Sequence, residues 1–335
     1  MIRKAYFSVA TMVLALIHGA DAGDKAPEPL TLKKHAKPVM GLAFSPDGKS
    51  IATSDEDGVI LLWDVATWKP RAEMSMKAKF IRCVAWSGDS KLLITGDKAK
   101  NAQLWDAETG KAIGEPFNQI RAVWAVAISK DGKRVATAGN GSPVRLWDVE
   151  SRKLLGTYEA HEGFVNSLAF SSDGKHLLTA GGLAVVRIYH LDKIEGEGHV
   201  AMKGSKAAFS ADGKVLAGVH LSKITFAEGG KVLVSTHFTT TVRDMATGKD
   251  RCTFEAVMKG SGNGNFTSIA VNADGSVIAV STDQMVHLFD GQTGKRLADL
   301  GIHPPSVSAL SFSPDGKKLA SAGGTTIRVW DVPGK

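Results

Sequence analysis

The stretch GLAFSPDGKSIATSDEDGVILLWD at residues 41–64 returns as ALSFSPDGKKLASAGGTTIRVWD at 309–331, with variants between them. The aspartate of the turn is a natural ruler. It falls at Asp47, Asp89, Asp131 and Asp173, spaced by 42 residues, and again at Asp274 and Asp315, spaced by 41. Helical periodicity is nearly absent. Short runs of Val, Ile, Leu and Ala are broken by Gly, Asp, Asn or Pro, which is the pattern of an all-β chain. A unit near 42 residues is one small sheet that cannot bury both of its faces alone, so its neighbours must stack on it.

The residues before each turn show how the units stack. Three before it stand Phe44, Trp86, Ile128, Phe170, Val271 and Phe312, all large. Six before it come Gly41, Cys83, Ala125, Ser167, Ser268 and Ala309, and four before it five Ala and Ser311, all small. A strand with one large and one small face suits the innermost position of a β-propeller, where blades converge and pack closely. A second strand follows each turn. A third ends in Trp63-Asp64, Trp105-Asp106, Trp147-Asp148, Tyr189-His190, Phe289-Asp290 or Trp330-Asp331.

Between Asp173 and Asp274 the ruler fails, because 101 residues are too many for two periods and too few for three. AAFSADGK (207–214) and ITFAEGGK (224–231) compete for the missing turn. The large residues Leu221, Ile224 and Phe226 favour the second, with Gly229 as the turn and residues 196–219 as an outer strand plus an insertion, or the remnant of an extra repeat. The expectation is seven four-stranded antiparallel blades, with six or eight left open by the irregular 196–230 region. The last repeat stops at its third strand, while LTLKKHAKP (30–38) lacks inner strands before it. The N-terminal strand is therefore expected to complete the last blade and close the ring, removing exposed edges.

With its Trp-Asp pairs, FSPDGK turns and period of 42, the sequence resembles the WD-repeat family over residues 30–335. The resemblance implies a hydrogen-bonded His–Ser/Thr–Asp–Trp set in each blade. His35, Thr53, Asp57 and Trp63 match it in the first blade; His161, Thr179 and Tyr189, and His303, Ser321 and Trp330, lack the Asp. It also implies a protein or peptide partner on the face where inner strands begin, around the central channel. At that rim stand Phe80, Arg82, Trp124 and Phe164, on three consecutive blades. Aromatics and Arg dominate binding hot spots, so these four are the candidate binding residues.

The N-terminus reads differently. MIRK, then thirteen apolar residues, then Ala20-Asp21-Ala22 form the pattern of a signal peptide cleaved after Ala22. The apolar run is too short to span a bilayer. Residues 23–29 read as a linker and 30–335 as the propeller. An exported chain without a cysteine framework fits a bacterial envelope or periplasm. Cys83 falls on the small face and Cys252 on an outer strand, so both are expected to be unpaired.

Little points to chemistry. The formal net charge is +7, yet the basic residues are scattered, without the clustering nucleic-acid binding requires. The histidines form no metal-ligand spacing, and no phosphate loop or nucleophile elbow is present. GSGNGN (260–265) reads as an inter-blade loop, and Asp55-Glu56-Asp57 as a solvated turn. No cofactor, metal or catalytic residue is expected. Two classes of function stand: a monomeric, non-enzymatic scaffold for a protein or peptide, or a propeller enzyme or small-ligand- or metal-binding protein of the envelope. The second needs convergent polar groups from several blades, and the apolar or small inner-strand positions favour the first.

Overall fold

The computed structural model describes residues 28–76, 80–159, 161–192, 198–226, 233–259 and 268–334. Proposed leader residues 1–22 lie outside them, as do most of the linker and the whole of GSGNGN. Strand β1 (Leu30–Lys33) precedes the first full blade, which holds β2 (Val39–Phe44), β3 (Ser50–Asp55), β4 (Val59–Asp64) and β5 (Lys69–Ser75). The second holds β6 (Ile81–Trp86), β7 (Leu92–Asp97), β8 (Asn101–Asp106) and β9 (Ala112–Asn118). The third holds β10 (Val123–Ile128), β11 (Arg134–Gly139), β12 (Ser142–Asp148) and β13 (Leu154–Tyr158). The fourth holds β14 (Val165–Phe170), β15 (His176–Gly181), β16 (Val185–His190) and β17 (His199–Lys203). The fifth holds β18 (Lys206–Phe209), β19 (Val215–Phe226), β20 (Leu233–Asp244) and β21 (Asp250–Lys259). The sixth holds β22 (Ile269–Val271), β23 (Val277–Thr282), β24 (Met285–Asp290) and β25 (Arg296–Ile302). The last holds β26 (Val307–Phe312), β27 (Lys318–Gly323) and β28 (Thr326–Asp331).

Every blade is a four-stranded antiparallel sheet, so the architecture is a seven-bladed β-propeller. The seventh is completed by β1, which pairs with β28 from Leu30 opposite Val329 to Lys33 opposite Thr326. The ring thus closes through its N-terminal strand.

The core is divided among the spaces between blades. Ile51, Leu61 and Trp63 of the first blade pack on Ala320, Ala322 and Val329 of the last. Ile81, Trp86, Leu93 and Trp105 of the second pack on Ala52, Ile60 and Leu62 of the first. Alanines such as Ala320, Ala322 and Ala52 leave room among these side chains for the large residues of the neighbouring sheet, as close packing demands. Each fully buried Leu or Ile contributes roughly 1.5–3 kcal/mol relative to exposure.

Blade five departs from expectation. Its inner strand is β18 and its turn is Ser210–Gly213, where the Ser210 hydroxyl donates to Asp212 Oδ1 at 2.6 Å. Residues 199–203 are the outer strand of blade four, and no insertion separates it from blade five. The surplus length lies in β19 and β20, twelve residues each, which form a long hairpin. Gly229 falls between them, outside the described residues. Side-chain hydrogen bonding sets the turn. The same Ser-to-Asp bond, 2.5–2.6 Å, recurs at Ser45–Asp47, Ser87–Asp89, Ser129–Asp131, Ser171–Asp173 and Ser313–Asp315. AEGG offers neither partner.

Candidate binding face around the central channel

The buried polar set of blade one is built from the strand ends. His35 Nδ1 donates to Asp55 Oδ2 at 2.8 Å, Thr53 Oγ1 lies 2.7 Å from His35 Nε2, and Trp63 Nε1 donates to Thr53 Oγ1 at 2.9 Å. The acid is Asp55, which corrects the expectation of Asp57. Asp55 ends β3, paired opposite Val39, and its other oxygen accepts the backbone N–H groups of Asp57 and Val59. Its carboxylate thus caps the turn and meets His35 together. Burial holds the His35 pKa below its ordinary value, against the opposing hydrogen bond to Asp55. The ring is neutral, and Thr53 donates to Nε2 while accepting from Trp63.

Other blades vary the theme. Trp105, Trp147 and Trp330 donate to Thr95, Thr137 and Ser321 at 2.8–2.9 Å. The histidine's place is taken by Gln119 in blade three, whose amide donates to the Thr137 carbonyl at 3.0 Å. These sets fasten strands together and are buried, so they position the blades.

The channel is organised by a repeated irregularity. Near the start of five inner strands the pairing skips one residue: Met40, Arg82, Trp124, Asn166 and Ser308. A bulge leaves its extra residue unpaired and re-aims the side chain. All five line the central cavity of about 300 Å³. This is how Arg82 and Trp124 come to face the axis.

The rim residues then connect. Arg82 Cζ lies 4.6 Å from the centroid of the Trp124 ring. Trp124 and Phe164 are 5.6 Å apart between centroids. One continuous cation–aromatic–aromatic run therefore crosses blades two, three and four. Phe80 stands on the same rim but engages Lys98, whose Nζ lies 4.9 Å from its ring centroid. Phe80 and Phe164 are 36% and 40% exposed, and Ile120 between them on the rim is 47% exposed.

Close backbone approach fixes this rim. A Cβ at Gly181 would stand 1.9 Å from the carbonyl oxygen of Phe164, so only glycine lets β15 reach that close. Phe80 has φ of +64°, a region costly for a bulky L-residue. Its N–H donates to the Glu56 carbonyl at 2.8 Å, which holds it there.

Two features escaped the sequence reading. Ile120 lies in the loop before β10, where no spacing rule marks it. Lys206 was hidden by the misplaced blade-five turn. Counted from Asp212, it falls six residues before the turn, where every other blade carries Gly, Ala, Ser or Cys. Cys83 and Cys252 are free thiols, and burial pushes the Cys83 thiol up to about 12. Among the described residues no group of three or more His, Cys, Asp or Glu is placed to hold a metal ion, and no helix is long and apolar enough to cross a membrane.

A seven-membered ring of such blades, sealed by its own first strand, defines the class of WD-type propellers. The WD domain, G-beta repeat family matches residues 28–64, 68–106, 152–190, 252–290 and 294–331, and the chain belongs to that family. It is similar to an uncharacterised WD repeat-containing protein of Synechocystis, 38% identical over 69 residues. That alignment covers 20% of this chain and 20% of the relative. WD repeat-containing protein 1 of Gallus gallus is 36% identical over 19% of this chain and 11% of its own length. Periodic tryptophan protein 2 of Saccharomyces cerevisiae is 41% identical over 21% and 8%. The chain thus spans a fifth or less of these relatives' lengths.

Proposed function

We propose that this protein is an exported, non-enzymatic scaffold that holds a protein or peptide segment on the face around its channel. The run from Arg82 through Trp124 to Phe164 carries the reading, since it joins three blades at the rim. Solvent-facing aromatics in a fixed arrangement, beside a half-buried Arg, have the composition of an interaction hot spot. The Pro-containing linker and the signal-peptide pattern of residues 1–22 support an envelope or periplasmic location.

The test is affinity capture from the native envelope fraction, using tagged mature protein beside the triple variant Phe80→Ala, Trp124→Ala, Phe164→Ala. Loss of a specific partner by a variant with an unchanged melting temperature supports the reading. Equal capture by both proteins moves the site off this rim and overturns it.

A further inference from the structure

We propose that the channel mouth is a carboxylate-binding site, in which Arg82 and Lys206 clamp an acidic group of the bound segment. The inference rests on the reading of this rim as a binding face, and adds the chemistry of what it recognises.

The cavity takes its lining from the first half of all seven inner strands. At the position six before the turn, six blades place a small residue and blade five places Lys206. Packing explains the small residues, and a lysine there serves no packing purpose. On the far side of the ring, the bulge of blade two turns Arg82 inward. Both cations are half-buried. Among the described residues neither makes an ion pair, and no Asp or Glu lines the cavity with them. Arg82 rests its face on Trp124 and keeps its N–H groups available.

Two like charges facing one cavity disfavour each other, and Glu56, which lies outside the lining, offsets only the Arg82 side of that charge. Lys206 shows this: burial first, and the Arg82 charge second, draw its pKa down to about 8. The other titratable group of the lining, the Cys83 thiol, is uncharged. A carboxylate entering between the cations replaces repulsion with charge-assisted hydrogen bonds, the strong kind. Hydroxyls of the lining, at Ser167 and Ser268, can accompany it. About 300 Å³ admits a side chain or a chain terminus, not a folded element. The aromatic run beside the mouth would hold the chain that carries the acid.

The acid can come from a Glu or Asp side chain or from a C-terminus, and one experiment separates them. The full mature protein is treated near pH 8 with trace acetic anhydride, and the acetylation rate of Lys206 is followed by mass spectrometry, with Lys203 and Lys214 as internal references. Three tripeptides with blocked N-termini are added in turn: one with an internal glutamate and a blocked C-terminus, one without acidic side chains but with a free C-terminal carboxylate, and one with glutamine and a blocked C-terminus. A bound carboxylate shields the amine and raises its pKa, so labelling of Lys206 alone slows, by about threefold or more at roughly 10 mM peptide. Whichever acidic peptide protects identifies the source. Arg82→Met, checked for an unchanged melting temperature, should abolish protection. Equal labelling of Lys206 with all three peptides overturns the proposal, and that comparison needs only wild-type protein. Because no native partner is used, protection without partner capture leaves the carboxylate site standing and the scaffold reading fallen. Capture without protection does the reverse.

Discussion

His303 is completely buried, with Nδ1 2.7 Å from Ser321 Oγ and Nε2 2.9 Å from Thr326 Oγ1. Burial, aided by the Arg328 charge, holds its pKa down to about 4. The unfolded chain takes up this proton near the ordinary histidine value of ~6.5, well before the folded protein does. Stability is therefore unaffected by this group above that value, falls as pH drops toward 4, and levels off below. His35 and His161, also lowered by burial, act in the same direction. Urea midpoints between pH 7 and pH 4 should fall less steeply for His303→Gln than for wild type. The difference at pH 4 is expected to reach up to roughly 3 kcal/mol, and superimposable pH profiles would refute it. Three members of the first blade's set, His35, Thr53 and Trp63, were legible through the resemblance to the WD-repeat family, and their hydrogen bonds are present. Asp57 was misread for Asp55 because one ends β3 and the other stands two residues on in the same short turn, and the bond from His35 distinguishes them.

The recurring element is the turn between first and second strands. In blade five, Asp212 accepts from the Ser210 hydroxyl at 2.6 Å and from the Lys214 N–H at 2.9 Å, while Gly213 adopts φ of +73°. Asp212→Ala should cost about 1–2 kcal/mol, read as a lowered urea midpoint, and Asp47→Ala should cost a similar amount. No loss at Asp212 would mean that this turn is not held as its counterparts are. The misplacement of this turn has a definite cause. Side-chain size in the inner strand was weighed above turn chemistry, and β18 is short, with Ala207 and a cavity-facing Lys206 at places where large or small residues were expected. Turn residues report a local bond, whereas strand residues also answer to the channel. The bulges at Arg82 and Trp124 were invisible for a similar reason, since an extra residue in one strand leaves no mark on a repeat that all blades share.

At the scale of the molecule, the repeat length and its large and small faces were enough to read a propeller of about seven blades, with six or eight left open by the irregular 196–230 region, and the lone first strand beside a three-stranded last repeat was enough to read its closure. Removing Leu30–Lys33 would bare the edge of β28 and expose the cavity left by Leu32, which is 5% accessible. The shortened protein should melt at a lower temperature and self-associate in a concentration-dependent way by light scattering. A monomer with unchanged melting would sink the closure argument. The same seam sets an order of events. Six blades are made of neighbouring strands, but the seventh joins the first strand to the last, and that pairing cannot form until almost all of the chain between them is available. The loop to be closed is the longest the molecule contains, so its entropy is met last and repaid by the final sheet. The first strand must wait unpaired through synthesis, which makes the seam a checkpoint that a truncated chain cannot pass.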